Sequence, residues 1–233
     1  MDQNTKTFSP RIIIQLIVVV IILPLLPMLI SWRWSWWQAW AFALICTLGF
    51  VISRVLASRR HPDIIAERAG SLNREDAKPW DRLLAPLMGM GGLVVPLIAG
   101  LEDRFNWSPA PFGLPLNIAA ILLMILAYAF SSWALIENRY FSGVVRIQAE
   151  RGHEVVSSGP YAWMRHPGYA GSFWSYLAMP FILDSAWAFI PAVVLIGVMI
   201  LRTSLEDRTL QEELPGYRDY ARKVRYRLFP GIW

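Results

Sequence analysis

Long apolar runs broken by charged connections dominate the chain. Between positions 12 and 30 the only polar side chain is Gln15, and such a run reaches about 30 Å as a helix, the thickness of a hydrocarbon core. Lys6 and Arg11 ahead of it would also suit a secretory signal, but Pro24 and Pro27 stand where a small-residue cleavage site belongs. The run is therefore expected to remain as a first span. A second span is predicted over 36–53, closed by Arg54, Arg59 and Arg60. A third, over 83–101, is interrupted by Pro86, Gly89, Gly91, Gly92 and Pro96, and a fourth covers 114–136. Two shorter apolar stretches, 168–183 and 186–201, meet at Asp184 and Ser185. They predict a helical hairpin, crossing or re-entrant, whose two ends lie on one side. Residues 58–82 mix Ile64 and Ile65 with Asp63, Glu67 and Arg68, as a short amphipathic helix at a membrane surface would.

Composition supports lipid rather than water as the main solvent. Of the 233 residues, 55% are hydrophobic and only 17% charged, against about 25% charged in a typical soluble domain. The fold class expected is an all-α integral membrane protein, a bundle of about six transmembrane helices made of four spans plus the hairpin. Residues 1–137 form an N-terminal transmembrane region and 138–233 a core with a cytosolic loop, the hairpin and a C-terminal segment. Trp32, Trp34, Trp36 and Trp37 crowd the first turn, where indole rings suit the headgroup level. Only Arg33 and Arg104 of the 22 basic residues fall in the turns on that side. The positive-inside rule then predicts cytosolic N- and C-termini and a cytosolic pocket, in the plasma membrane of a prokaryote or the endoplasmic reticulum of a eukaryote. The formal charge of +5 is dispersed between apolar spans, which argues against a nucleic-acid face.

The chemistry-bearing residues gather in the two polar segments flanking the hairpin. Before it, 144–148 and 155–156 read as two short β-like runs about a turn, followed by Gly159-Pro160 and by Arg165-His166-Pro167. After it, Arg202 and Glu206 lie four apart, on one helix face. An arbitrary pair at that spacing is usually a surface ion pair of low value; at the mouth of a membrane hairpin the same two residues can receive a polar group from the cytosol. His61, His153 and His166 are too scattered for a metal motif, and no P-loop or Gly-x-Ser-x-Gly elbow occurs. No metal site is expected. Cys46 within a span reads as a small buried hydrophobe, and Gly89-Met90-Gly91-Gly92 as close helix packing rather than a nucleotide loop.

The run from Gly159 through Tyr161, Arg165, His166, Pro167, Gly168 and Tyr169 to Gly171 resembles the signature of the isoprenylcysteine carboxyl methyltransferase family, within the wider group that includes phospholipid methyltransferases. Arg202 to Asp207, then Leu210, Gly216, Tyr217, Tyr220 and Val224, match that family's closing pattern. The resemblance covers roughly 138–233. It implies a membrane methyltransferase using S-adenosyl-L-methionine without a Rossmann domain. By motif position it implies cofactor contacts from His153, Glu154, Val155, Val156, Tyr161, His166, Pro167, Gly168, Tyr169 and Glu206, with Gln148, or Arg146 in its place. Arg202 would be catalytic and substrate-binding, its planar fork orienting the acceptor carboxylate. The partners implied are a lipid-like or prenylated methyl acceptor and membrane lipids. Three other readings stay open: a phospholipid or amine N-methyltransferase, an NADPH-dependent membrane reductase, and a non-catalytic scaffold or transporter subunit.

Overall fold

The computed structural model describes residues 17–71, 74–107 and 112–233; Lys6, Arg11 and the start of the first apolar run lie outside the described residues. The described chain is helical, in the order α1 (Val18–Ser31), α2 (Trp37–Arg60), α3 (Ile64–Gly70), α4 (Asp81–Phe105), α5 (Leu114–Glu137), α6 (Pro167–Ile182), α7 (Phe189–Glu213) and α8 (Tyr217–Lys223). Helices α2, α4, α5 and α7 are each long and apolar enough to cross a bilayer, and the chain is a multi-pass membrane protein.

Proline shapes α1. Pro24 has no N–H for the Val20 carbonyl, the helix opens into a π-turn over Val18–Ile22, and the Thr47 hydroxyl on α2 donates to that carbonyl at 2.8 Å. Trp32, with φ of 61°, closes α1 in the left-handed region by donating to the Met28 carbonyl. Small residues then bring helices together: a Cβ on Gly100 of α4 would fall 2.9 Å from the Pro27 carbonyl of α1, and one on Gly171 of α6 would fall 2.7 Å from the Ala127 carbonyl of α5. Such contacts suit a bundle in lipid, where dispersion and close approach hold helices together. Met28, Phe42, Val95, Met124, Ile182 and Leu195 form the core between them.

The turn between α6 and α7 is held at the ends of three other helices. Asp184 accepts hydrogen bonds from Gln38 Nε2 of α2 at 3.1 Å, from the Phe112 amide at 2.7 Å and from Asn117 Nδ2 of α5 at 3.1 Å. Glu102, near the end of α4, accepts from the Ser185 hydroxyl and from the amides of Ala186 (3.2 Å) and Trp187 (3.1 Å). The Ser185 hydroxyl in turn accepts from the Ala188 amide at the start of α7. Exposed Trp32, Trp34, Trp37, Trp40, Trp107 and Trp187 ring this end, as the clustered indoles suggested.

One expectation changes. No strand forms among the described residues: the Val145 amide donates to Asp81 and its carbonyl accepts from the Lys78 amide. The backbone groups a partner strand would have taken are therefore satisfied by the start of α4. The helix expected in 58–82 is α3, which buries Ile64 and Glu67 on one face. Glu67 is clasped by Arg146, with Nε and Nη2 at 3.1 and 3.0 Å.

Glu102 is almost fully buried and serves three donors at once. Glu102→Ala is expected to destabilise the detergent-solubilised protein by about 2–4 kcal/mol, the scale of several lost charge-assisted bonds. Thermal unfolding indistinguishable from wild type would show that the turn needs no such anchor.

Candidate functional site

At the basic end of the bundle α7 presents two consecutive carboxylates to different surroundings, because adjacent residues on a helix point about 100° apart. Asp207 is fully buried. It accepts from Arg165 Nε and Nη2 (2.6 and 2.9 Å), Arg227 Nε (2.9 Å), Gln211 Nε2 (2.8 Å) and the Tyr217 hydroxyl (3.3 Å), and lies 3.2 Å from His166 Nε2. Arg165 also donates to the Val224 and Arg225 carbonyls, while the Arg165 and His166 amides donate to those of Tyr226 and Arg227. Asp207 thus fastens the start of α6 to the C-terminal segment, where Leu228 packs with Met164 and Ala170.

Glu206 is only half-buried. Its Oε2 accepts from the Tyr169 hydroxyl at 2.6 Å, and among the described residues it has no second protein donor. The same hydroxyl accepts from Arg202 Nη1 at 2.6 Å. The rest of the Arg202 fork is already filled: Nε and Nη2 reach the two oxygens of buried Asp81 at 2.6 and 2.9 Å, and Nη2 also reaches the Gly143 carbonyl at 3.0 Å. Asp81 takes the Nε and Nη2 side of the fork that was expected to orient an acceptor carboxylate. It was missed because it opens a distant helix, and Asp81 at the head of an apolar run reads as an ordinary first-turn acid.

The other expected residues divide into those that build the site and those left open. Pro167 and Gly168 are buried in the first turn of α6. Tyr161 is buried, accepts from Asn138 Nδ2 at 3.2 Å and donates to the Ala134 carbonyl at 3.3 Å. Gln148 is buried with both ends of its amide engaged, Nε2 donating to the Tyr140 carbonyl and Oε1 accepting from Arg151. Arg146, its alternative, is enclosed by Glu67, Asp76 and Glu150. Glu154 is exposed, and Val155 and Val156 are partly so. His153 stacks on Tyr140 with centroids 4.5 Å apart and accepts at Nδ1 from the Gln148 amide. Burial and then the positive charges of Arg146 and Arg151 push the imidazole down to about 4.

Arg68 of α3 lies within electrostatic reach of Arg54 and Arg202. Burial, followed by the like charges of Arg54 and Arg202, pushes Arg68 of α3 down to about 9. A partly exposed carboxylate beside an aromatic hydroxyl, within a surround rich in cations, can hold an ammonium or sulfonium group on one side and an anion on the other.

Residues 119–214 match the family model described as isoprenylcysteine carboxyl methyltransferase (ICMT) family. Among similar proteins, a Saccharomyces cerevisiae protein-S-isoprenylcysteine O-methyltransferase is 33% identical over 98 residues, 42% of this chain and 39% of that protein. The Arabidopsis thaliana protein-S-isoprenylcysteine O-methyltransferase B is 28% identical over 121 residues, 51% and 58% of the two chains. The Mus musculus delta(14)-sterol reductase TM7SF2 is 24% identical over 152 residues, 60% of this chain and 36% of its own. The chain therefore spans between about a third and three fifths of the length of these relatives. Arg202, Tyr169, Glu206 and Asp207 lie inside the matched stretch, whereas Asp81, Arg54 and Arg68 lie outside it.

For His153 the direction of pH dependence is fixed. An unfolded histidine titrates near 6.5, whereas here the neutral ring is favoured down to about 4. Between those values the unfolded chain binds more protons. The His153 contribution is therefore complete above about pH 6.5 and declines as the pH falls toward 4. His153→Phe is expected to flatten that part of the pH–stability curve, and imidazole NMR is expected to show a neutral ring at pH 6; a charged ring at pH 6 would contradict the assignment.

Proposed function

We propose, from the match of residues 119–214 to the isoprenylcysteine carboxyl methyltransferase family model, that the chain uses S-adenosylmethionine to methylate the carboxylate of a prenylated or lipid-like acceptor. The observation that carries this reading is the half-open Glu206 carboxylate. One oxygen is fixed by Tyr169 and the other is free to accept from a ligand amine or to face a sulfonium. The donor set fits the cofactor: an anionic acceptor in Glu206, aromatic surface from Tyr169, and the exposed Glu154 with the partly exposed Val155 and Val156 for its remaining groups.

When bound, the cofactor supplies an electrophilic methyl, and transfer to a carboxylate forms one O–C bond, breaks one C–S bond and moves no proton. No general base is needed, since a carboxylate is ionised at neutral pH. The protein's task is alignment, for which gains in effective concentration are large. Arg202 acts as a positioning residue: anchored by Asp81, it holds the Tyr169 hydroxyl, which holds Glu206. His166 orders the first turn of α6 through Asp207, and Tyr161 ties the loop ahead of it to α5.

The reading includes six crossings, with the basic end and both termini in the cytosol, and residues 138–233 as the methyltransferase core resting on the helices of 1–137. Support for a hairpin that crosses fully comes from its turn meeting Gln38, Glu102 and Asn117 at the far ends of α2, α4 and α5. A membrane reductase is the second reading, favoured by the match to a sterol reductase over 152 residues.

Purified protein with labelled S-adenosylmethionine and a farnesylcysteine analogue is expected to yield a base-labile methyl ester, and NADPH is expected not to bind. A base-stable methyl group would point to N-methylation, and NADPH binding without methyl transfer would overturn the proposal. Glu206→Gln is expected to weaken cofactor affinity at least about tenfold, the loss of one charge-assisted contact; calorimetry showing unchanged affinity would remove Glu206 from the cofactor site.

A further inference from the structure

With Nε and Nη2 of Arg202 engaged by Asp81 and the Gly143 carbonyl, that residue offers an incoming anion one remaining Nη1 N–H, and a further cationic partner would hold the anion better. Two guanidiniums beside the site are available. Among the described residues Arg54, on the last turns of α2, makes one hydrogen bond, to Ser53 Oγ at 3.3 Å, and lies 4.6 Å above the Phe50 ring. Among the same residues Arg68, on α3, reaches only the Phe141 carbonyl, at 3.5 Å, and lies 5.2 Å above the Phe141 ring. That ring closes directly on the start of α6: a Cβ on Gly168 would fall 2.7 Å from it, next to Tyr169. Both arginines are partly buried, and neither forms an ion pair among the described residues.

Their neighbours sharpen the contrast. Arg146, Arg151, Arg165 and Arg202 each pair with a carboxylate. An aromatic face supports a guanidinium but does not neutralise it. Like charges held together away from bulk water are costly unless an anion joins them. A guanidinium's planar fork matches a carboxylate in shape and charge.

We propose that Arg54 and Arg68 form a carboxylate-binding subsite beside Arg202, Tyr169 and Glu206, contributed by α2 and α3. The inference rests on the methyltransferase reading, in which two carboxylates could fill the subsite: that of the acceptor, or that at the amino-acid end of the cofactor. Binding the first would aim an acceptor oxygen at the site while its apolar tail lies along the helices. It would also give α2 and α3, outside the family match, a part in choosing an acidic acceptor.

The test uses the full chain in detergent, with binding of N-acetyl-S-farnesylcysteine, its carboxamide and S-adenosylmethionine measured by calorimetry for wild type, Arg54→Gln, Arg68→Gln, the double variant and Arg68→Lys. The acid is expected to bind wild type about tenfold more tightly than the carboxamide, as a charge-assisted contact allows. Each Gln variant should shrink that ratio, the double variant should abolish it, and Arg68→Lys should recover part of it. A loss of cofactor affinity with the acid-to-amide ratio intact would assign the subsite to the cofactor's carboxylate. Unchanged acid preference and unchanged cofactor affinity in the double variant would overturn the subsite. Wild type that binds acid over amide yet transfers no label would leave the subsite standing and remove the methyltransferase reading.

Discussion

The buried pairing of Arg202 with Asp81 is the constraint on which the site depends. Both oxygens of Asp81 are engaged by Arg202, and one of them also takes the Val145 amide. The start of α4, the loop before the hairpin and the inner part of α7 are therefore drawn to one point. Removing one partner of such a pair strands a buried charge, at a cost of about 3–5 kcal/mol. Two buried charges are a poor way to gain stability compared with apolar packing, and their consequence here is directional. With Nε and Nη2 fixed, Nη1 has one orientation left, toward the Tyr169 hydroxyl, and that hydroxyl turns its own proton to Glu206.

Asp207 shows what the same helix does one residue later. Surrounded by Arg165, Arg227, His166, Gln211 and Tyr217, it has no capacity left for a ligand and organises the chain around the site. Glu206 keeps an oxygen open because, among the described residues, its one side-chain donor is a phenol. The division of labour between adjacent carboxylates follows from helix geometry: one faces the packed C-terminal segment and the other faces Tyr169 of α6.

Local patterns in the sequence carried the helices and the motif residues. Apolar runs marked α2, α4, α5 and the hairpin closely, since in lipid every backbone group must be satisfied within a helix, and prolines at 86 and 96 did not break α4. The spacing of Arg202 and Glu206 placed them on one face. What could not be read were the partners supplied from far along the chain. Asp81 lies 121 residues from Arg202, and nothing in its surroundings distinguishes it from any acid opening a helix. The valines of 144–156 suggested paired strands because alternation reports extended backbone, whereas the pairing itself is decided by whichever groups lie opposite. Here those are a carboxylate and a helix-initiating turn. The surplus of cations at the site emerged in the same way, because only in three dimensions do Arg54 and Arg68 differ from the paired arginines around them.

A site organised through Arg202 makes Asp81 and Tyr169 act as one unit although they do not touch. The most direct measurement is a double-mutant cycle on the proposed methyl transfer, comparing kcat/KM for Asp81→Asn, Tyr169→Phe and the two combined. Coupling of at least about 1 kcal/mol, with the double variant far less impaired than the product of the single effects, is the result expected for residues joined in one network. Additive effects within about 0.3 kcal/mol would contradict it, and would mean that the Asp81 and Arg202 pairing supports the fold without directing the chemistry.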